Sequence, residues 1–120
     1  MHEASIAQHI IEQVSERIEN GTLPARIEKI NLKIGKMTAV VPENLCFMFG
    51  VLSRDTVLAN VKLDITEIPV RCRCRACNAE YEAEEMNFWC RECGSPEVTI
   101  ISGREMVIDS VEVEDANENN

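Results

Sequence analysis

Apolar side chains at Ile6, Ala7, Ile10, Ile11, Val14 and Ile18 recur at three- and four-residue steps, while Glu12, Glu16 and Glu19 lie on other arcs. At about 100° per residue these positions form one apolar face of a helix over residues 3–20. Asn20-Gly21 supplies the stop, since such residues tolerate the backbone that closes a helix. The period then changes. Residues 26-RIEKINLKI-34 alternate at Ile30, Leu32 and Ile34, which predicts a half-buried strand ended by Gly35. Over 42-PENLCFMFGVLSRDT-56 the helical spacing returns at Leu45, Met48, Phe49 and Leu52, with Pro42 suited to a first turn. Cys46 falls inside this helix and reads as a small buried hydrophobe. Residues 61-VKLDITEI-68 alternate at Val61, Leu63 and Ile65 as a second strand, closed by Pro69.

From Val70 to Val98 apolar side chains thin out to Tyr81, Met86, Phe88 and Trp89, and cysteine and charge take over. Beyond this stretch come 98-VTII-101, a turn at Ser102-Gly103 and a strand-like 105-EMVIDSVEV-113. The order predicts an α/β fold: a small mixed three-stranded sheet with two helices, plus an inserted four-cysteine zinc-ribbon-like lobe. A helical crossover allows the first two strands to pair in parallel. Residues 1–69 and 99–114 are expected to form the α/β domain, 70–98 a metal-binding domain and 115–120 a polar tail.

Composition narrows the partners. An apolar share of 45% supports a globular core. The 21 carboxylates outweigh 12 Lys and Arg, a net charge of −9, and such a chain repels a polyanion on average. Nucleic acid is therefore not an expected partner, although Arg71, Arg73 and Arg75 alternate locally around the first cysteines. No apolar run reaches membrane-spanning length, so no membrane association is expected. Glu3, Glu12, Glu16 and Glu19 argue against a transit peptide, and the expected compartment is the cytosol.

In that compartment six cysteines read as metal ligands before disulfides. Cys74/Cys77 and Cys90/Cys93 form two Cys-x-x-Cys units, each followed by a residue that tolerates left-handed backbone, Asn78 and Gly94. Four thiolates on two tight turns can enclose one ion tetrahedrally, the arrangement zinc favours in closed structural sites. Iron in a rubredoxin-like site uses the same ligand set, and colour separates the two. Cys72 breaks the matched spacing and is placed outside the shell, with a spare or exchange ligand as its alternative role. Residues 70–98 hold little apolar material, so the metal would supply much of this lobe's folding free energy. Of the two histidines, His9 lies about 10 Å along the helix from His2, too far to share its ion.

With Met1-His2-Glu3 at the start, the run from Gly35 through Pro42, Leu45 and Phe47 to Thr56, the two knuckles and 102-SGREMVIDSVEVE-114, nearly the whole chain resembles the HypA/HybF family. That resemblance implies a nickel metallochaperone of [NiFe]-hydrogenase maturation, some relatives also serving urease. It implies a Ni²⁺ cargo held by the Met1 amine, the His2 amide and imidazole and the Glu3 amide, beside a structural Zn²⁺ on Cys74, Cys77, Cys90 and Cys93. It further implies a HypB-type nickel-insertion GTPase or ATPase as partner and a hydrogenase large subunit downstream. Nickel(II) accepts nitrogen ligands in square-planar or octahedral geometry while zinc suits the tetrahedral thiolate cage, so one chain can sort two metals. Protonating the amine or the imidazole would weaken nickel as pH falls toward the histidine range.

The competing reading is a zinc-ribbon protein-interaction module without nickel transfer; an iron electron-transfer site is a third. Four cysteines leave no open metal position for hydrolysis, so the chain is not expected to be an enzyme.

Overall fold

The computed structural model describes residues 2–84 and 87–113. Met1 and Met86 and the expected polar tail lie outside the described residues. The first helix, α1, runs Glu3–Glu19 and buries Ile6, Ala7, Ile10, Ile11 and Val14, the stripe its periodicity marks out. Asn20 closes it, and Gly21 follows with φ +82°, the left-handed backbone that glycine adopts without strain. Strand β1, Ile27–Gly35, turns Ile27, Ile30, Leu32 and Ile34 inward. A short 3₁₀ turn, Lys36–Thr38, leads on to α2, Pro42–Leu52, with proline in its first turn.

α2 stops earlier than its pattern predicts. The Ser53 N–H still bonds the Phe49 carbonyl at 2.9 Å, but the Thr56 hydroxyl then donates to the Ser53 carbonyl at 2.8 Å and accepts from the Leu58 N–H at 3.1 Å. Such local side-chain bonds offer the backbone an alternative to the helical ladder. Within α2, Leu45 and Phe49 form the buried stripe one turn apart. Cys46 is exposed, not buried as its apolar neighbours suggested, because it lies about 100° round the helix from Leu45.

Strand β2 spans Lys62–Ile68, β3 Arg71–Cys74, β4 Glu80–Glu82, β5 Val98–Ser102 and β6 Met106–Val113. They form two three-stranded sheets, ordered β2-β1-β6 and β4-β3-β5. The first carries the three strands read from alternation, with β1 central. On it the Asn31 amide donates to the Ser110 hydroxyl at 3.0 Å and the Glu112 carboxylate at 2.9 Å, tying β1 to β6. In the second, β3 pairs antiparallel with β4, Cys72 opposite Tyr81, and antiparallel with β5, Cys72 opposite Ile100.

The chain divides into two compact units, Met1–Leu32 with Val40–Ile65 and Ile108–Asn120, and Lys33–Ala39 with Thr66–Val107. The first holds both helices, packed on each other. The second takes in the cysteine stretch together with β5 and the 3₁₀ turn. Its core is Val70, Cys72 and Ala83, flanked by Met37, Tyr81, Phe88, Val98 and Ile100. No described helix is long and apolar enough to cross a membrane.

Candidate metal centre

The two Cys-x-x-Cys turns fold alike. In the first, the Cys74 N–H bonds the Ala79 carbonyl at 2.9 Å, the Asn78 N–H bonds the Cys74 carbonyl at 2.9 Å, and the Ala76 N–H points at the Cys74 sulfur at 3.3 Å. In the second, Cys90 N–H bonds Ser95 at 3.0 Å, Gly94 N–H bonds Cys90 at 2.9 Å, and Glu92 N–H meets the Cys90 sulfur at 3.4 Å. Asn78 and Gly94 hold φ of 66° and 76°, so each turn closes through a left-handed residue at the same place. Each knuckle therefore curls its backbone around its own first sulfur, and amide dipoles aimed at a sulfur favour the thiolate.

The four sulfurs of Cys74, Cys77, Cys90 and Cys93 lie within 4.8 Å of one another. Cys74 and Cys93 Sγ are 3.6 Å apart, as are those of Cys77 and Cys90, and all four thiols are free. Thiolates about 2.3 Å from one ion at tetrahedral corners stand about 3.8 Å apart. The donor set therefore fits a four-thiolate metal with little rearrangement. Cys74 and Cys90 are buried while Cys77 and Cys93 are exposed.

Without an ion the four groups compete for protons. The Cys77 N–H, aided by that of Ala76, pulls Cys74 down to about 7. Against the pull of the Ala79 N–H, the Cys90 thiol and desolvation push Cys77 up to about 12. Cys93 is also raised: the Ser95 N–H draws it down, but Cys74 and desolvation outweigh it. A divalent ion resolves this crowding, since it binds all four as thiolates and expels their protons.

Cys72 stands apart. It is fully buried in the second unit's core, where desolvation raises its thiol. The Tyr81 hydroxyl donates to the Phe88 carbonyl, which fixes the segment leading to the second knuckle. The alternating arginines carry less free charge than the sequence implies, because Arg73 forks onto the Glu80 carboxylate at 2.7 and 3.0 Å.

At the other unit, His2 is exposed and caps α1 from outside, with φ −86° and ψ 121°. Its carbonyl accepts the N–H groups of Ser5 at 3.1 Å and Ile6 at 3.3 Å, which starts the helix. The Glu3 carboxylate accepts the Val41 N–H at 3.1 Å, and that bond, with Glu3's own N–H, holds its carboxyl below the usual carboxylate range. His2 and Glu3 line a shallow cleft of about 310 Å³ with Ala4, Asn44, Phe47 and Met48. Phe47 is 69% exposed there. This cleft went unread in the sequence. Its one signal was that a stripe through Leu45 and Phe49 leaves Phe47 on the opposite side. The cysteine cluster and the Met1-His2-Glu3 end belong to different units.

Comparison with known proteins points the same way along the chain. Residues 1–113 match a family described as hydrogenase/urease nickel incorporation, metallochaperone, HypA. A hydrogenase maturation factor HypA from Desulfatibacillum aliphaticivorans is 39% identical over 118 residues, covering 98% of this chain and 91% of that protein. One from Desulfosudis oleivorans is 41% identical over 115 residues, covering 96% of this chain and 100% of its own. The solution structure of the Ni metallochaperone HypA from Helicobacter pylori superposes with a TM-score of 0.66 at 25% identity, over 94% of this chain and 97% of that one.

Proposed function

The chain belongs to the HypA family of hydrogenase/urease nickel-incorporation metallochaperones, and from that premise we propose how it handles its cargo. Nickel(II) binds at the start of the chain, through the Met1 amine, the His2 amide and imidazole and the Glu3 amide, and is passed on during [NiFe]-hydrogenase maturation. The observation that carries this is the placement of His2. Its ring is exposed at the very start of α1, where the first N–H groups have no acceptor inside the helix. Those amides can give up their protons to bind an ion without undoing a helical backbone bond. A five- or six-membered chelate through amine, amide and imidazole suits nickel's preference for nitrogen in square-planar or octahedral geometry.

Cys74, Cys77, Cys90 and Cys93 would hold a structural zinc. That ion supplies the cross-link between the two knuckles. The residues around it do the rest: knuckle amides stabilise the thiolates, and Asn78 and Gly94 set the turns. With four protein ligands the site has no open position for a reacting water, so it serves architecture and not catalysis. Nickel passes to a HypB-type nickel-insertion GTPase or ATPase in the cytosol, and from there to a hydrogenase large subunit. Functionally, residues 1–69 and 99–114 carry the cargo and residues 70–98 the zinc.

One observation also favours the second reading, a zinc-ribbon interaction module. Trp89, beside Cys90, is 65% exposed, and exposed tryptophans are common anchors at protein interfaces. The two readings part on nickel. Titrating Ni(II) into the untagged chain should show one site, and His2→Ala should remove it while zinc content stays at one per chain. An unchanged nickel affinity in His2→Ala would leave only the interaction module.

A further inference from the structure

The Glu3 carboxylate is already engaged in the structure. Its Oε2 accepts the Val41 N–H at 3.1 Å. Val41 is the residue just ahead of α2, extended at φ −91° and ψ 112°, and its carbonyl in turn takes the Leu45 N–H at 3.0 Å. On the other side of the contact, Glu3 is the first residue of α1, and the His2 carbonyl opens that helix. One side chain thus joins the first turn of α1 to the N-cap of α2, beside the cleft lined by His2, Asn44, Phe47 and Met48.

Chain ends fray unless something ties them down. A chelate that uses an amine, two amides and a ring must order all of these groups at once, and each backbone residue fixed costs conformational entropy. A tie made before the ion arrives lowers that cost, which is the general effect of preorganisation. Inside the helix, α1 holds itself from Ser5 onward through the His2 carbonyl. Buried Ile6 and Ala7 hold α1 against α2 from the next turn on, and the Glu3 to Val41 bond extends that hold to the first residue of the helix.

We propose that Glu3 is a positioning residue for nickel: its carboxylate, held by the Val41 N–H, fixes the first turn of α1 so that the His2 ring and the first amides are presented together. This rests on the terminal nickel site proposed above and gives the Glu3 side chain a task separate from that of its backbone amide. Two simpler roles make different predictions. A carboxylate in a first helical turn also favours the helix dipole, and that role depends on charge. A carboxylate ligating the ion directly depends on its oxygen's basicity. Positioning depends only on an acceptor of the right reach, which glutamine also offers.

The test is Ni(II) titration of the full-length, untagged, zinc-containing chain in five forms: wild type, E3Q, E3A, V41P and H2A. E3A should bind nickel about tenfold more weakly, the factor that ordering one backbone residue is worth. E3Q should recover most of that loss. V41P removes the donor and should match E3A, and the double variant E3A/V41P should be no weaker than either single, because both delete one shared interaction. Zinc content should stay at one per chain in E3A, and its melt should remain a single cooperative transition only slightly below that of the wild type. The Glu3 pair decides the matter alone, with V41P as the donor-side check. E3Q as weak as E3A would overturn positioning in favour of charge or direct ligation, and wild-type affinity in E3A would overturn it outright. If H2A loses nickel while E3A keeps it, the terminal site stands and only the positioning role falls. If H2A keeps wild-type affinity, the terminal site falls and takes the positioning role with it.

Discussion

Phe47 and Phe49 are the same residue two positions apart, 69% and 2% exposed. Phe49→Ala opens a cavity in the helical unit and should cost about 3–5 kcal/mol, whereas Phe47→Ala should change stability by less than about 0.5 kcal/mol. Paired denaturant melts check this, and equal losses would contradict the packing. Ser53 makes the opposite case. It is 1% exposed, and among the described residues its hydroxyl has no hydrogen-bond partner. A buried hydroxyl left unpaired is costly, so Ser53→Ala should leave the melting midpoint unchanged or raise stability by about 1 kcal/mol. A fall of that size would show the hydroxyl is bonded in solution. At this scale the sequence reveals residues whose periodicity repeats, such as Leu45 and Phe49. It misled at Cys46, where an apolar run suggested burial that only the direction of the stripe could refuse. It was silent on the Glu3 to Val41 bond, which joins residues far apart in the chain.

Both knuckles are legible as elements, because each needs only a local spacing and a residue tolerant of positive φ, and Asn78 and Gly94 fall where that geometry requires them. The lobe around them was less legible. β5 completes its sheet by pairing with β3, a long-range choice that no local pattern encodes. Gly35 illustrates the same limit: it read as the end of a strand, but a Cβ there would sit 1.9 Å from the Gly103 carbonyl oxygen. Gly35 N–H bonds Glu105 at 2.7 Å and Met37 N–H bonds Gly103 at 2.9 Å, so the two segments lie against each other through backbone alone. Gly35→Ala must push them apart and should destabilise the second unit well beyond an ordinary surface change, by more than about 2 kcal/mol. Hydrogen exchange at Met37 should report it; wild-type protection would contradict the close approach. Removing the metal acts on the same element. With a thiol-competent chelator, amide protection across β3 to β5 should collapse, while the helical signal of α1 and α2 persists. Retained protection after complete zinc loss would mean that Val70, Cys72 and Ala83 hold the lobe unaided.

For the whole molecule, an acidic chain with a net charge of −9 gathers four thiol sulfurs in one unit, and the proposed function adds nitrogen ligands at the chain start in the other. In the proposed function, softness and geometry sort the metals, zinc to the four-thiolate cage and nickel to the chain start. The division follows from transfer. A donor must hold its cargo selectively and still release it, and a terminal chelate can be taken apart one ligand at a time while a cage of four thiolates keeps its ion. The direct measurement is native mass spectrometry of the untagged chain after equilibration with both metals, beside a chain carrying one alanine ahead of Met1. The wild-type chain should retain one zinc and one nickel, and the extended chain zinc alone, because the added residue moves the free amine out of the chelate. Nickel retained at equal affinity by the extended chain would contradict the terminal site.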